Sequence, residues 1–246
     1  MPSESSVERV SVLGFPIDRV SLVQTEEILT KFLSYDGTKL VFTADSNAFV
    51  CAGNDPRYSR CFDEAALITP DSAGPVWALG RYRKSIEGRV SGVDLVEVLC
   101  QISAKTGARM YFLGSAPGVA EAAGRNLAAK FPGCVIVGSR DGFFGGSSDE
   151  EIARDIAGSA PDILLVGMGM PRQEEFILDT ASIIGAKIGI GVGGSLDVHS
   201  GMVKRAPVIF QKLKIEWLWR TLLNPKKLDK VKNLPKFYFM VRRATK

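Results

Sequence analysis

Five polar clusters in this 246-residue chain carry groups suited to acid–base and anion chemistry. Thr43-Ala44-Asp45-Ser46-Asn47 closes the apolar run KLVFT, and Asp71 follows ALITP. Arg89 stands in GRVSGVDL. Gly169-Met170-Pro171-Arg172-Gln173-Glu174 follows DILLVGM, and Gly193-Gly194-Ser195-Leu196-Asp197 follows KIGIGV. A carboxylate such as Asp71 can take a proton from an attacking hydroxyl held within about 3 Å of it. Arg89, Gln173 and the N–H groups of a helix start can hold a phosphate. Glycines let backbone approach a ligand closely. His199 is the sole histidine. It nearly excludes a His-rich metal site, and any Ser-His-Asp triad would have to use it.

Each cluster also has a purely structural reading. Thr43, Asp45 and Ser46 suit a helix N-cap. Asp71 after a proline is an ordinary turn residue. Arg89 suits a salt bridge as well as a ligand. Pro171 at the first helical position, with acidic residues in the first turn, starts a helix well without any anion. GVGGSLD is equally a plain glycine turn, and His199 beside Gly201 reads as a loop residue. Glu174 and Glu175 favour the helix start rather than an anionic ligand. Four of the clusters gain weight from their common position after apolar runs, and Arg89 lies between two helices. In an open α/β sheet, ligands sit outside the carboxyl ends of the strands. On one rim, the clusters together point to a phosphate-containing ligand.

The elements that would build this rim are legible. VERVSVLG and IDRVS alternate as a short hairpin. SLVQTEEILTKFLSYDG is a helix with Ser21 and Gln24 as a capping box and Gly37 beyond its end. KLVFT, ALIT, ARMYFLGS, CVIVGS, DILLVGMG and KIGIGVGG are strands. NDPRYSRCFDEA, GPVWALGRYR, VDLVEVLCQISAKTG, PGVAEAAGRNLAAKFPG, SDEEIARDIAGSAP and RQEEFILDTASIIG are helices. Continuous apolar strands alternating with helices predict an α/β fold with a mostly parallel sheet covered on both faces. The predicted catalytic unit is residues 1–203. The strand KLVFT is not followed by GxGxxG, and GxxxxGK[ST] and DxD are missing, so a Rossmann dinucleotide site and a P-loop are not expected.

With 46% hydrophobic residues, the chain can bury one α/β core with a small appendage. It has no uncharged apolar stretch of about 18 residues, so no transmembrane helix is expected. The polar start MPSESSVERV lacks the apolar core of a secretory signal. The four cysteines, with no CxxC spacing, read as small buried thiols in a reducing cytosol. The net charge of +4 hides an asymmetry: residues 204–246 hold 13 Lys/Arg and 2 Asp/Glu, a net of +11 on a body of −7. Such a basic, aromatic tail suits an anionic membrane surface or a nucleic acid. Trp217 and Trp219 suit the headgroup level, and Arg220, Lys226 and Lys227 suit anionic lipid. A solvated basic helix pair with its aromatics packed on the body is the structural alternative.

TADSN (43–47), TPD (69–71), RVSGVDL (89–95), DGFF (141–144), GMGMPRQE (167–174), GVGGSLD (191–197), RAP (205–207) and EWLWR (216–220), in this order, resemble the WecG/TagA/CpsF glycosyltransferase family. The resemblance spans roughly residues 10–225. It implies a Rossmann-like fold of the GT-E type. It also implies an inverting, metal-independent transfer of a sugar, N-acetylmannosamine in the best-known members, from a UDP-sugar to an undecaprenyl-diphosphate-linked sugar. By the same resemblance Asp71 is the base, and Arg89 and Gln173 serve the leaving diphosphate. Thr43, Asp45 and Asn47 lie by the sugar, Asp197 by the nucleotide, and Gly169, Arg172, Gly193 and Gly194 in the binding loops. No cofactor and no nucleic-acid partner are implied, and the basic appendage, residues 204–246, docks on the inner face of the bacterial membrane and completes the site. A homo-oligomer is left open. Many members have TxN where this chain has Asp45, and PDG where it has Pro70-Asp71-Ser72.

Overall fold

The strands carry β-branched and aliphatic residues on both faces, so each must be covered twice. The computed structural model, which describes residues 7–204, 207 and 228–245, has this form. A hairpin of β1 (Arg9–Val12) and β2 (Phe15–Asp18) comes first, then α1 (Leu22–Phe32) with the predicted capping box of Ser21 and Gln24. β3 (Lys39–Ala44), α2 (Ser46–Ala52), α3 (Pro56–Glu64), β4 (Leu67–Pro70) and α4 (Ala73–Arg81) follow. Next come α5 (Gly92–Thr106), β5 (Arg109–Gly114), α6 (Val119–Lys130) and β6 (Val135–Arg140). α7 (Asp149–Ala157), β7 (Ile163–Gly167), α8 (Arg172–Ile184), β8 (Ile188–Gly191) and α9 (Ser195–His199) complete the body. α10 (Leu228–Ala244) lies in the basic tail.

Six strands form one parallel sheet in the order β4-β3-β8-β7-β5-β6. One core lies between the sheet and α2, α3, α4, α7, α8 and α10, around Phe42, Phe49, Phe62 and Phe176. The other lies against α1, α5, α6 and α9, around Phe112, Leu99 and Ile190. Connections that move one way along the sheet, through α7 and α8, use the first face. The reverse connections, through α5 and α6, use the second. A single crossover handedness requires this division. Alternate strand residues feed the two cores, as Val41 and Phe42 do in β3.

Two short helices, α2 and α9, exceed the predicted elements. Asp45 caps α2 by accepting the Ala48 N–H at 2.9 Å, so the polar run after β3 is itself a helix start. Pro171 occupies the N-cap of α8 rather than its first helical position, which Arg172 takes. Cys61 and Cys100 are buried as expected, but Cys51 and Cys134 are only partly so, because each lies at the end of an element rather than within the core. No described helix is long and apolar enough to cross a membrane.

α10 packs across α2 and α4 through an apolar face. Phe237 and Val241 are buried, Phe237 meets Phe49 at 5.6 Å between ring centres, and Tyr238 stacks on Trp77 at 4.7 Å. Phe237→Ala is expected to weaken this docking by about 3 kcal/mol. The measurement is trypsin cleavage within residues 228–245, which should accelerate while the body keeps its circular dichroism.

Candidate active site

The carboxyl end of β4 gathers one half of the predicted site. Thr69 Oγ1 donates to Val90 O at 3.2 Å, and Val90 N–H donates to Pro70 O at 3.0 Å. The segment carrying Arg89 is thereby laid along the strand end that releases Asp71. Gly92 N–H, in the first turn of α5, donates to Asp71 Oδ1 at 3.0 Å. The carboxylate therefore sits at the positive end of a 15-residue helix, where a negative charge is favoured. Two residues far apart in sequence, Asp71 and Arg89, share one corner.

Gln173 organises the other half. Its side chain is 2% exposed, and its Oε1 accepts Gly169 N–H at 3.1 Å and Gly193 N–H at 3.0 Å. The loops after β7 and β8 are thus tied by one amide oxygen. Backbone N–H groups only donate, so the atom facing them is oxygen and Nε2 points the other way. There it donates to Glu174 Oε1 at 2.6 Å.

Glu174 is fully buried, which the sequence reading missed by assigning it to the helix start. The helical phase held the signal: Phe176, Ile177, Thr180 and Ile184 form the buried stripe of α8, and position 174 precedes Ile177 by one turn. Burial pushes its carboxyl up to about 8, with Asp45 and Glu175 adding to the effect and the Gln173 hydrogen bond opposing it.

Thr43 is buried with its Oγ1 donating to Gly191 O at 3.0 Å, which joins β3 to β8 below the rim. Asn47 stands in the first turn of α2, and its Oδ1 accepts from Asn233 Nδ2 of α10 at 2.5 Å. Gly193 and Gly169 have positive φ, Gly194 is the N-cap of α9, and Asp197 lies within α9. Arg172 forms a forked pair with Asp149 of α7 and lies over the Phe144 and Phe176 rings, each 5.8 Å from its guanidinium carbon. It ties α7 to α8 and is not brought to the Asp71 corner by any described contact. His199, read from the sequence as a loop residue, is the last residue of α9, and its Nε2 pairs with Val93 O at 3.1 Å. Trp217, Trp219, Arg220, Lys226 and Lys227 lie outside the described residues.

The comparisons with known proteins converge. Residues 10–246 match the glycosyl transferase WecG/TagA/CpsF family. An N-acetylglucosaminyldiphosphoundecaprenol N-acetyl-beta-D-mannosaminyltransferase of Staphylococcus aureus strain MRSA252 is 31% identical over 98% of this chain and 94% of its own. Proteins of the same name from strains NCTC 8325 / PS 47 and COL are 30% identical over the same shares. The chain belongs to the WecG/TagA/CpsF glycosyltransferase family.

In this glycosyltransferase, unsatisfied polar atoms gather at the same rim. Among the described residues, three buried side-chain oxygens have no hydrogen-bond partner: Ser46 Oγ, Ser72 Oγ and Glu174 Oε2. They follow β3, β4 and β7. Ser72 is the N-cap of α4 yet makes no capping bond, and it stands next to Asp71.

Gly191 makes the clamp possible. A Cβ there would overlap Glu174 Oε1 and Gln173 Nε2. Gly191→Ala is expected to lower stability by about 1–3 kcal/mol, the range for overpacking a tight site. Thermal unfolding measures this, and hydrogen exchange at residues 167–173 and 191–195 should rise with it.

Proposed function

We propose that this glycosyltransferase moves N-acetylmannosamine from UDP-N-acetylmannosamine to an N-acetylglucosaminyl-diphosphoundecaprenol acceptor. The transfer inverts the anomeric carbon and needs no metal ion, and its product feeds cell-surface polysaccharide or teichoic acid synthesis. One observation carries the reading: Asp71, fixed by Gly92 N–H, shares a strand end with the Arg89 segment. The activity named for the staphylococcal relatives supports the choice of sugar and acceptor.

In this reading the acceptor hydroxyl oxygen bonds to the anomeric carbon as the bond from that carbon to the diphosphate oxygen breaks. The hydroxyl proton passes to Asp71, and the electron pair leaves with UDP. Attack from the face opposite UDP inverts the centre. The transition state is oxocarbenium-like. Arg89 meets the charge growing on the diphosphate. Gln173 serves by fixing the loops of Gly169 and Gly193, Thr43, Asp45 and Asn47 border the sugar, and Gly194 and Asp197 border the nucleotide. Arg172 holds the α8 wall through Asp149.

The lipid-linked acceptor calls for work at the inner face of the membrane, as a peripheral protein. α10 supports this: Lys236, Phe239, Arg242 and Arg243 are exposed, with Phe239 at 67%, on the side away from Phe237 and Val241. Trp217, Trp219, Arg220, Lys226 and Lys227 are assigned to the same contact. Replacing both Arg242 and Arg243 by Gln should weaken binding to anionic liposomes by about 1 kcal/mol per charge at low salt, read by co-sedimentation. Unchanged binding would remove α10 from the docking surface.

The decisive assay is UDP release with a short-chain N-acetylglucosaminyl-diphospholipid and a panel of UDP-sugars, with and without EDTA. Release that depends on acceptor and one donor, survives EDTA and falls about 10²–10⁴-fold in Asp71→Asn is expected. A different preferred donor would replace N-acetylmannosamine, and full activity in Asp71→Asn would remove the base.

A further inference from the structure

We infer that Glu174 is a positioning residue: as a neutral acid it holds the Gln173 amide in the one orientation that ties the Gly169 and Gly193 loops together. The activity part of this inference rests on the function proposed above; its structural part does not.

Gln173 can accept both loop N–H groups only with Oε1 toward them. That orientation sends Nε2 into a buried site, where an acceptor must meet it. Glu174 Oε1 is that acceptor, at 2.6 Å. If Nε2 faced the loops instead, three donors would confront one another, and both loops would lose their tie. An apolar side chain at 174 would remove the reason for the observed orientation.

The second step concerns the proton. Glu174 Oε2 is buried and unpartnered among the described residues. A carboxylate there would be a buried charge facing the Gln173 amide and no described cation, whereas a protonated Oε2 leaves Oε1 as a neutral acceptor. The neighbouring groups agree. Asp45 at the start of α2 and Glu175 on α8 are acidic and disfavour a further negative charge. On α3, Tyr58 and Cys61 face it, and the phenol is pushed up to about 12, as is the thiol, chiefly by burial. Tyr58 Oη also donates to Met170 O at 3.2 Å, so α3 braces the same loop.

The consequence is a proton-dependent rim. The carboxyl is protonated in the folded chain up to about pH 8 but ionises near 4.5 when unfolded. Between those values the folded state binds the extra proton, so its contribution to stability is full below about 4.5 and is lost as pH rises through about 8. Above that, the ionised group works against the burial that the clamp needs.

Glu174→Gln keeps the acceptor and cannot ionise; Glu174→Met keeps the volume and loses the acceptor. Three readouts separate positioning from simple packing. The first is hydrogen exchange of peptides containing Gly169 and Gly193. Both amides should exchange about tenfold faster in Glu174→Met and as in the parent protein in Glu174→Gln. The second is melting temperature against pH: the advantage of Glu174→Gln over the parent should grow from about pH 4.5 to 8 and then level off. The third is kcat/KM for UDP release, about 10–100-fold lower in Glu174→Met, the scale for supports behind a site. Glu174→Gln should restore it and lack the parent's loss of activity near pH 8. Protected amides in Glu174→Met, or a melting-temperature gap independent of pH, would overturn the inference. If Glu174→Met does not fold, the pH series with Glu174→Gln decides alone. A parent protein silent with every UDP-sugar would defeat the proposed function, and exchange and melting would still judge Glu174.

Discussion

The site depends on how closely α8 can approach β8. Strand β8 reads Ile-Gly-Ile-Gly, so its isoleucines fill one core and its glycines face α8. A Cβ at Gly189 would overlap Ile177, and one at Gly191 would overlap Gln173 and Glu174. Without those two carbons the helix settles one layer lower than a β-branched strand would allow. Only at that depth can a glutamine in the first turn of α8 reach backbone on two different loops. The weakness of glycine in a strand is therefore accepted for proximity. Thr43 adds a side-chain tie at the end of the β3–β8 ladder, where its hydroxyl reaches Gly191 O.

The two halves of the rim meet at Gly92. Its N–H holds Asp71, while a Cβ there would stand 3.2 Å from Ser195 Oγ and 3.4 Å from Val192 O. The start of α5 thus touches the β4 corner and the β8 loop at once. A shift of the loop clamped by Gln173 would press on Gly92 and, through its N–H, on the carboxylate. General-base chemistry is sensitive to displacements of about 1 Å. The chain joins Asp71 and the loops after β7 and β8 into one frame through contacts at Gly92 that a longer side chain would disturb.

The sequence made most of the frame legible and less of its inner wiring. Apolar runs such as DILLV and KIGIG announce buried parallel strands by composition alone, and Ser21 with Gln24 announces a helix start by spacing. The rim residues other than Arg89 were legible as a set because each follows a strand, a property of order. What Gln173 does was not, because its partners Gly169 and Gly193 come from different loops, and only the strand order β8-β7 brings them together. Glu174 was misread for a related reason. An acidic residue in a first helical turn ordinarily faces water and the helix dipole, and only the phase of the stripe Phe176, Ile177, Thr180 and Ile184 opposes that habit. Asp45 fills the plain capping role that any N-terminal aspartate can take, through Oδ1 to the Ala48 N–H.

The charge asymmetry finds a physical resolution in α10. An acidic body and a strongly basic tail could neutralise each other through ion pairs, which would consume the tail's charge. The described contacts follow another rule. α10 holds to α2 and α4 through Phe237, Val241 and the Tyr238–Trp77 stack, with Asn233 reaching Asn47 and Arg81 reaching Thr245. Apolar docking is indifferent to salt, whereas exposed cations respond to it strongly. The helix can therefore stay on the rim at any ionic strength while Lys236, Arg242 and Arg243 remain turned outward. The division also places the attachment on the two helices that follow β3 and β4. Whatever engages the outer face of α10 then acts on the elements that carry Asn47 and that begin one residue beyond Ser72, beside Asp71.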